Sequence, residues 1–219
     1  MKPAIFAKID MDTYPRKDHF MHYMYKENCT YSMTVDMDIT NLRKTTAERG
    51  YKITPALTYA TTSAINECEA MLCTLDKEGA LGMWSYLNAS YPIFHNDDKT
   101  FTYLTTPMED DFSSYYESVR RDIALHGDIH GVYASTPPPN NFTVSAIPWA
   151  RFTGFNFNFS PNDKRLTPAI TWGQFYTQHN RIFLPISVQV HHATTDGWHV
   201  SEFLTILQQF AEDASAWMK

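Results

Sequence analysis

Residues 182–214 read IFLPISVQVHHATTDGWHVSEFLTILQQFAEDA, and the change of period inside that stretch decides the fold class. From Ile182 to Val190 the chain alternates, with Ile186, Val188 and Val190 on one face and Ser187 and Gln189 on the other, as in a strand with one buried face. Beyond Gly197, the residues Val200, Phe203, Leu204, Leu207, Phe210, Ala211 and Ala214 trace one side of a helix. A strand therefore hands over to an amphipathic helix within seven residues. Continuing the alternation puts His192 with Val188 and Val190, and His191 with Ser187 and Gln189.

Upstream, Tyr31 to Asp38 has strand composition, and Ile39-Thr40-Asn41 can open a helix to about Arg49, stopped by Gly50. Pro55 marks a second helix start, followed by Leu57, Ala60, Ala64, Ile65, Cys68 and Met71 at helical spacing. Leu81–Trp84 and Tyr91–His95 read as strands, Phe112–Leu125 as a helix. Phe142–Ala146, Phe152–Phe159 and Ala169–Tyr176 read as further strands. The order lacks a strict βαβ rhythm. The expectation is a mixed α/β (α+β) fold, a mixed sheet flanked by helices in a single domain over 1–219. Ser135-Thr136-Pro137-Pro138-Pro139-Asn140-Asn141 reads as a surface loop, not a linker.

Composition excludes several functions. Hydrophobic residues make up 43% and aromatics 15% of 219 residues, so the chain is not disordered. The aromatics suit a dense core first and an aromatic-lined pocket second. Net charge is −6, and no Lys/Arg run exceeds two, which argues against nucleic acid as a partner. Cys29, Cys68 and Cys73 form no CxxC pair, so reduced thiols of a cytoplasmic protein are expected. The opening MKPAIFAKIDMD lacks the apolar core of a signal peptide, and no window reaches a membrane span, so no membrane association is expected.

Three histidines, an aspartate and a glycine fall between His191 and His199. An imidazole on an apolar face loses hydration of its charged form, and neutral imidazole is what a general base must be. Asp196 can fold back towards that ring, and Gly197 eases the strand-to-helix turn. A satisfied core histidine is the plainer alternative. A metal site through His191, His192, Asp196 and His199 is another, but adjacent strand histidines point apart and no same-face His pair with a glutamate is present, so no metal is expected.

The string His192-Ala193-Thr194-Thr195-Asp196-Gly197 resembles the HxxxDG motif of CoA-dependent acyltransferases, and its flanks resemble the chloramphenicol acetyltransferase family. The likeness continues in order: Arg16-Lys17-Asp18-His19-Phe20, Tyr91-Pro92-Ile93-Phe94-His95, Val144-Ser145-Ala146-Ile147-Pro148-Trp149, Pro168-Ala169-Ile170-Thr171 and Leu184 through His192. It implies a CoA-dependent acyltransferase fold and acetyl transfer from acetyl-CoA, as co-substrate, to chloramphenicol or a similar small hydroxylated acceptor. It also implies a homotrimer with sites between subunits. His192 would be the general base and Ser145 the oxyanion donor, Thr171 would hold a water beside it, and Arg16 would pair with Asp196. Tyr23, Tyr31, Phe101 and Phe157 would contact the acceptor. CoA-binding residues are unknown, since neither a GxGxxG nor a P-loop occurs.

Departures from the family pattern are Trp198 after Asp-Gly, Asn156-Phe157-Asn158-Phe159-Ser160-Pro161, and Glu67 through Met71. They spare the base and the oxyanion donor and bear on acceptor choice. Two alternatives stand beside this reading. One is a dihydrolipoyl acyltransferase core, whose lipoyl module and linker are not among these residues. The other is a non-catalytic binding protein on the same scaffold.

Overall fold

A computed structural model describes residues 3–160 and 162–219. Met1, Lys2 and Pro161, the last residue of one departing stretch, lie outside the described residues. In chain order the elements are β1 (Phe6–Lys8), α1 (Lys17–Tyr25), β2 (Thr30–Asp38), α2 (Thr40–Glu48), α3 (Ile53–Asn66), a 3-10 turn over Glu69–Leu72, β3 (Cys73–Leu75) and β4 (Leu81–Trp84). Then come β5 (Asn88–Phe94), β6 (Phe101–Thr105), α4 (Phe112–His126), β7 (Asn141–Ala146), β8 (Ala169–Trp172), β9 (Tyr176–Gln178), β10 (Arg181–His191), α5 (Gly197–Glu212) and α6 (Ala214–Trp217).

The main sheet has the order β2-β10-β8-β7-β5-β6, with β9 joined to the start of β10. The pairs β8–β7 and β7–β5 are parallel; β2–β10, β10–β8 and β5–β6 are antiparallel. The expected mixed sheet is therefore present. On one face, Ile186, Val188 and Val190 share a core with Ala56, Ala60 and Ala64 of α3 and Val200, Phe203, Leu207 and Ala211 of α5. Full burial of each large side chain there contributes roughly 1.5–3 kcal/mol, and this is what holds the helices on the sheet. Gly50 takes the left-handed φ of +73° that ends α2's connection, the stop read from the sequence.

Leu81–Trp84 is a strand as the sequence puts it, and as β4 it joins β1 and β3 in a separate three-stranded sheet. Two expectations need correction. Phe152–Phe159 is not a strand. Its backbone bonds side chains rather than a ladder: Phe155 O accepts from Ser187 Oγ at 2.6 Å, and the Phe157 N–H donates to Gln189 Oε1 at 2.6 Å. The strand expected over Ala169–Tyr176 stops at Trp172: the Gly173 N–H still donates to its register neighbour Pro185 O, but Pro185 has no N–H to return, and the Gln174 N–H goes to Ala150 O. Helix α1 carries too little periodic signal to stand out, since only Phe20 and Met24 are buried in its nine residues.

Candidate active site

Strand β10 ends at His191, and the next residue is anchored across the sheet end by His192 N–H donating to Cys29 O at 2.9 Å. The His192 ring stacks on Tyr23 of α1, with centroids 4.0 Å apart and planes 1° apart. Tyr31, paired with Val190 and so on its face, lies 5.3 Å away. His192 thus takes the side that alternation implied, although it is half-buried, not sealed. Its Nδ1 is buried without a hydrogen-bond partner, so Nε2 is the nitrogen left to exchange a proton with a ligand.

Asp196 caps α5, accepting from Trp198 N–H at 3.2 Å. A carboxylate there is favoured by the helix dipole. Arg16, immediately before α1, donates from Nη1 to Asp196 Oδ2 at 2.7 Å, and His199 Nδ1 lies 2.8 Å from Oδ1. Burial opposes ionisation of Asp196. The Arg16 hydrogen bond and charge outweigh it and hold the carboxyl below its ordinary range. Tyr31 is pushed up to about 12, first by burial and then by the Asp196 charge, with Arg16 opposing, so it stays a phenol. Tyr31 OH, Arg16 Nε and Arg16 Nη2 are, like His192 Nδ1, buried without hydrogen-bond partners. Native interiors rarely leave polar atoms so, and four of them gather around this turn.

The residue His191 behaves differently. It is 1% exposed, with Nε2 3.1 Å from Asn28 Oδ1 and Nδ1 accepting from Ala193 N–H. Burial first, then the neighbouring His192 charge, lowers its pKa against the pull of Asp163. The two adjacent rings do not converge on one point.

Ser145, Thr171 and Phe157 form a second group elsewhere. Ser145 pairs with Thr171 and Thr171 with Ser187, so the three share one row and one face, opposite Val188 and Tyr31. Phe157 covers that same face, its carbonyl accepting from Gln189 Nε2 at 3.0 Å. Phe101, two strands beyond β7 on β6, is 48% exposed and points to this face by register. From Ser187 to His192 is about 17 Å along β10, and from Ser187 to Ser145 about 10 Å across two strand spacings. One chain therefore brings together Arg16, Tyr23, Tyr31, His192 and Asp196. It does not bring Ser145, Thr171, Phe101 or Phe157 to them.

Sequence reading did not foresee that the Cys29 carbonyl anchors His192 or that His199 serves as a helix cap. Asp196 and His199 form a reciprocal cap with the Asp196 N–H donating to His199 Nδ1 at 3.1 Å. The signal was present as an Asp followed three residues later by a side chain able to accept, in the place where Glu or Gln is usual. Trp198 is 67% exposed, which puts that departure on the surface.

A family model described as chloramphenicol acetyltransferase matches residues 4–208. A curated chloramphenicol acetyltransferase of Clostridium perfringens is 38% identical over 214 residues, 97% of this chain and 98% of that protein. One of Campylobacter coli is 39% identical over 204 residues, 93% and 97% of the two. Among solved structures, a chloramphenicol acetyltransferase superposes with a TM-score of 0.84 at 21% identity, covering 94% of this chain and 100% of the other. The dihydrolipoamide acetyltransferase of Azotobacter vinelandii superposes at 0.65 and 18% identity, covering 87% and 84%. At such identities these superpositions speak to fold alone.

Proposed function

The chain belongs to the chloramphenicol acetyltransferase family, and on that premise we propose that it transfers the acetyl group of acetyl-CoA directly to a hydroxyl of chloramphenicol. The observation that carries this reading is His192: half-buried, pinned face to face on Tyr23, with one nitrogen sealed. In the proposed step His192 Nε2 takes the hydroxyl proton while the acceptor oxygen bonds to the thioester carbonyl carbon. Ser145 Oγ–H donates to the resulting oxyanion, with a water held by Thr171 beside it. On collapse the C–S bond breaks, and the imidazolium returns its proton to the CoA sulfur. The Arg16–Asp196 pair fixes the turn that carries His192 and takes no proton.

The wide separation of His192 from Ser145 supports a site completed by a second copy, the base from one chain and the oxyanion donor, Thr171, Phe101 and Phe157 from the next. We assign Tyr23 and Tyr31 to the base side of the acceptor pocket and read the oligomer as a homotrimer of single acyltransferase domains. Among the described residues no helix is long and apolar enough to cross a membrane, and all three cysteines are free thiols, which suits a cytoplasmic enzyme.

A thiol-release assay tests the proposal. With acetyl-CoA and chloramphenicol the protein should release free CoA, and His192→Ala should lower the rate by about 10²–10⁴. Turnover with dihydrolipoamide but not chloramphenicol, or undiminished turnover in the variant, refutes it.

A further inference from the structure

The tip of the β5–β6 hairpin gathers chemistry that acyl transfer does not use. His95, Asp97 and His130 each offer one ligand atom, and these atoms lie within 4.8 Å of one another. We propose that the three form a binding site for a divalent transition ion of the zinc class, three strands away from β10 and separate from His192.

Hydrogen bonds around the cluster already set both imidazoles for coordination. Thr102 Oγ lies 2.7 Å from Ile129 O and 2.8 Å from Gly131 O. Both are carbonyls, so the hydroxyl proton must go to one of them. Thr102 Oγ then accepts from His95 Nε2–H, 2.8 Å away, and the His95 lone pair is left at Nδ1. His95 is 6% exposed, so this tautomer is held by its surroundings.

His130 is set by a carboxylate. Asp98 Oδ1 accepts from the Thr100 N–H at 2.9 Å and its hydroxyl at 2.7 Å, and Oδ2 lies 2.8 Å from His130 Nδ1. With Oδ1 already accepting from Thr100 and Oδ2 aimed at the ring, Asp98 is placed as an acceptor and His130 Nδ1 donates. The His130 lone pair is at Nε2, 3.6 Å from Asp97 Oδ2. That is close to the roughly 3.3 Å edge of a tetrahedron with metal–ligand bonds of about 2.0–2.1 Å. Asp98 and Thr102 are thus outer partners of the kind that orient metal-bound histidines. Two imidazoles and one carboxylate suit zinc, nickel or cobalt better than magnesium or calcium, which prefer oxygen alone.

The two rings stack, with centroids 4.0 Å apart and planes 20° apart. Coordination requires the His130 ring to tilt off His95 about its Nδ1–Asp98 hydrogen bond, and its side chain is 43% exposed, that of Asp97 71%. A water would fill the fourth position. The ion would clamp the hairpin to the segment that runs from Ile129 to Tyr133, where Tyr103 N–H already donates to Val132 O at 2.9 Å.

The test is calorimetric titration of the intact protein with zinc chloride, with folding of each variant checked by circular dichroism. One ion per chain is expected, with affinity lowered at least tenfold in His130→Ala and in Asp97→Asn, both exposed positions where folding should survive. Asp98→Asn should weaken binding by about 10–100-fold through the outer shell. Zinc at about a hundredfold over its Kd should raise the melting temperature by roughly 5 °C in the parent and not in His130→Ala. Failure to saturate near one ion per chain, or equal affinity in the parent and both ligand variants, overturns the proposal.

Discussion

Mixing two dead chains should restore activity. His192 and Ser145 lie about 17 Å apart along β10 and about 10 Å apart across the sheet, on opposite faces. A hydrogen-bonded site spans about 3 Å per contact, so no side-chain rotation closes that gap within one chain. His192→Ala alone should retain about 10⁻²–10⁻⁴ of the rate, and Ser145→Ala about 10⁻²–10⁻³. In the proposed closed ring each site would pair the His192 side of one chain with the Ser145 side of its neighbour. Coexpressed at equal amounts, the two variants assemble at random, and about one site in four receives an intact base and an intact donor. The thiol-release assay should therefore return about 25% of parental activity, at least tenfold above either variant alone. If both groups came from the same chain, every site in the mixture would carry one lesion. Activity of the coexpressed pair no higher than the mean of the two variants would refute the split-site reasoning.

Two further outcomes follow from the charges around the site. Replacing Asp196 by Asn keeps a cap on α5 but strands the Arg16 guanidinium, two of whose nitrogens are already buried without partners. The loss should be about 2–3 kcal/mol in urea unfolding at pH 7, below the range for a fully buried pair because both side chains keep some exposure. Because the folded Asp196 carboxyl titrates below its ordinary 3.8, its contribution is fully present above that value and disappears as pH falls through the folded pKa. The parent and Asp196→Asn should therefore converge in stability in acid, and a gap unchanged between pH 7 and the acid limit of folding refutes the ion-pair account. Among the thiols, burial first, then neighbouring glutamates, pushes Cys68 up to about 12, and burial pushes Cys73 to about 12 despite Arg16. Iodoacetamide at pH 8 should label the half-buried Cys29 in the native protein, with Cys68 and Cys73 reacting only after denaturation. Mass spectrometry showing native labelling at Cys68 contradicts that burial.

Legibility in the sequence tracked how locally each feature was encoded. The period-two run of β10 and the helical stripe of α5 needed only their own residues, and both elements lie where the spacing puts them. The segment Phe152–Phe159 had strand composition but not strand bonding, because Ser187 and Gln189 offered its backbone side-chain partners on a covered sheet face. The ring of Tyr23 against His192 depended on where a weakly patterned helix docked, and nothing in α1 announces that distance. The two histidines of the hairpin cluster, 35 positions apart, share no spacing that links them in sequence and meet only because β6 draws the segment around Tyr133 against itself.

By itself the sequence determined which chemistry-bearing residue types are available, and the strand-to-helix turn that carries His192 and Asp196, because neighbouring side chains share a backbone whose repeat fixes their faces. Tertiary structure alone decided which of those residues meet. The pairing of β10 with β8 and of β8 with β7 sets Ser145 level with Ser187 and not with His192. That register is fixed by burial of Ile186 and Val188 against α3 and α5, an energy summed over distant parts of the chain that no single stretch contains.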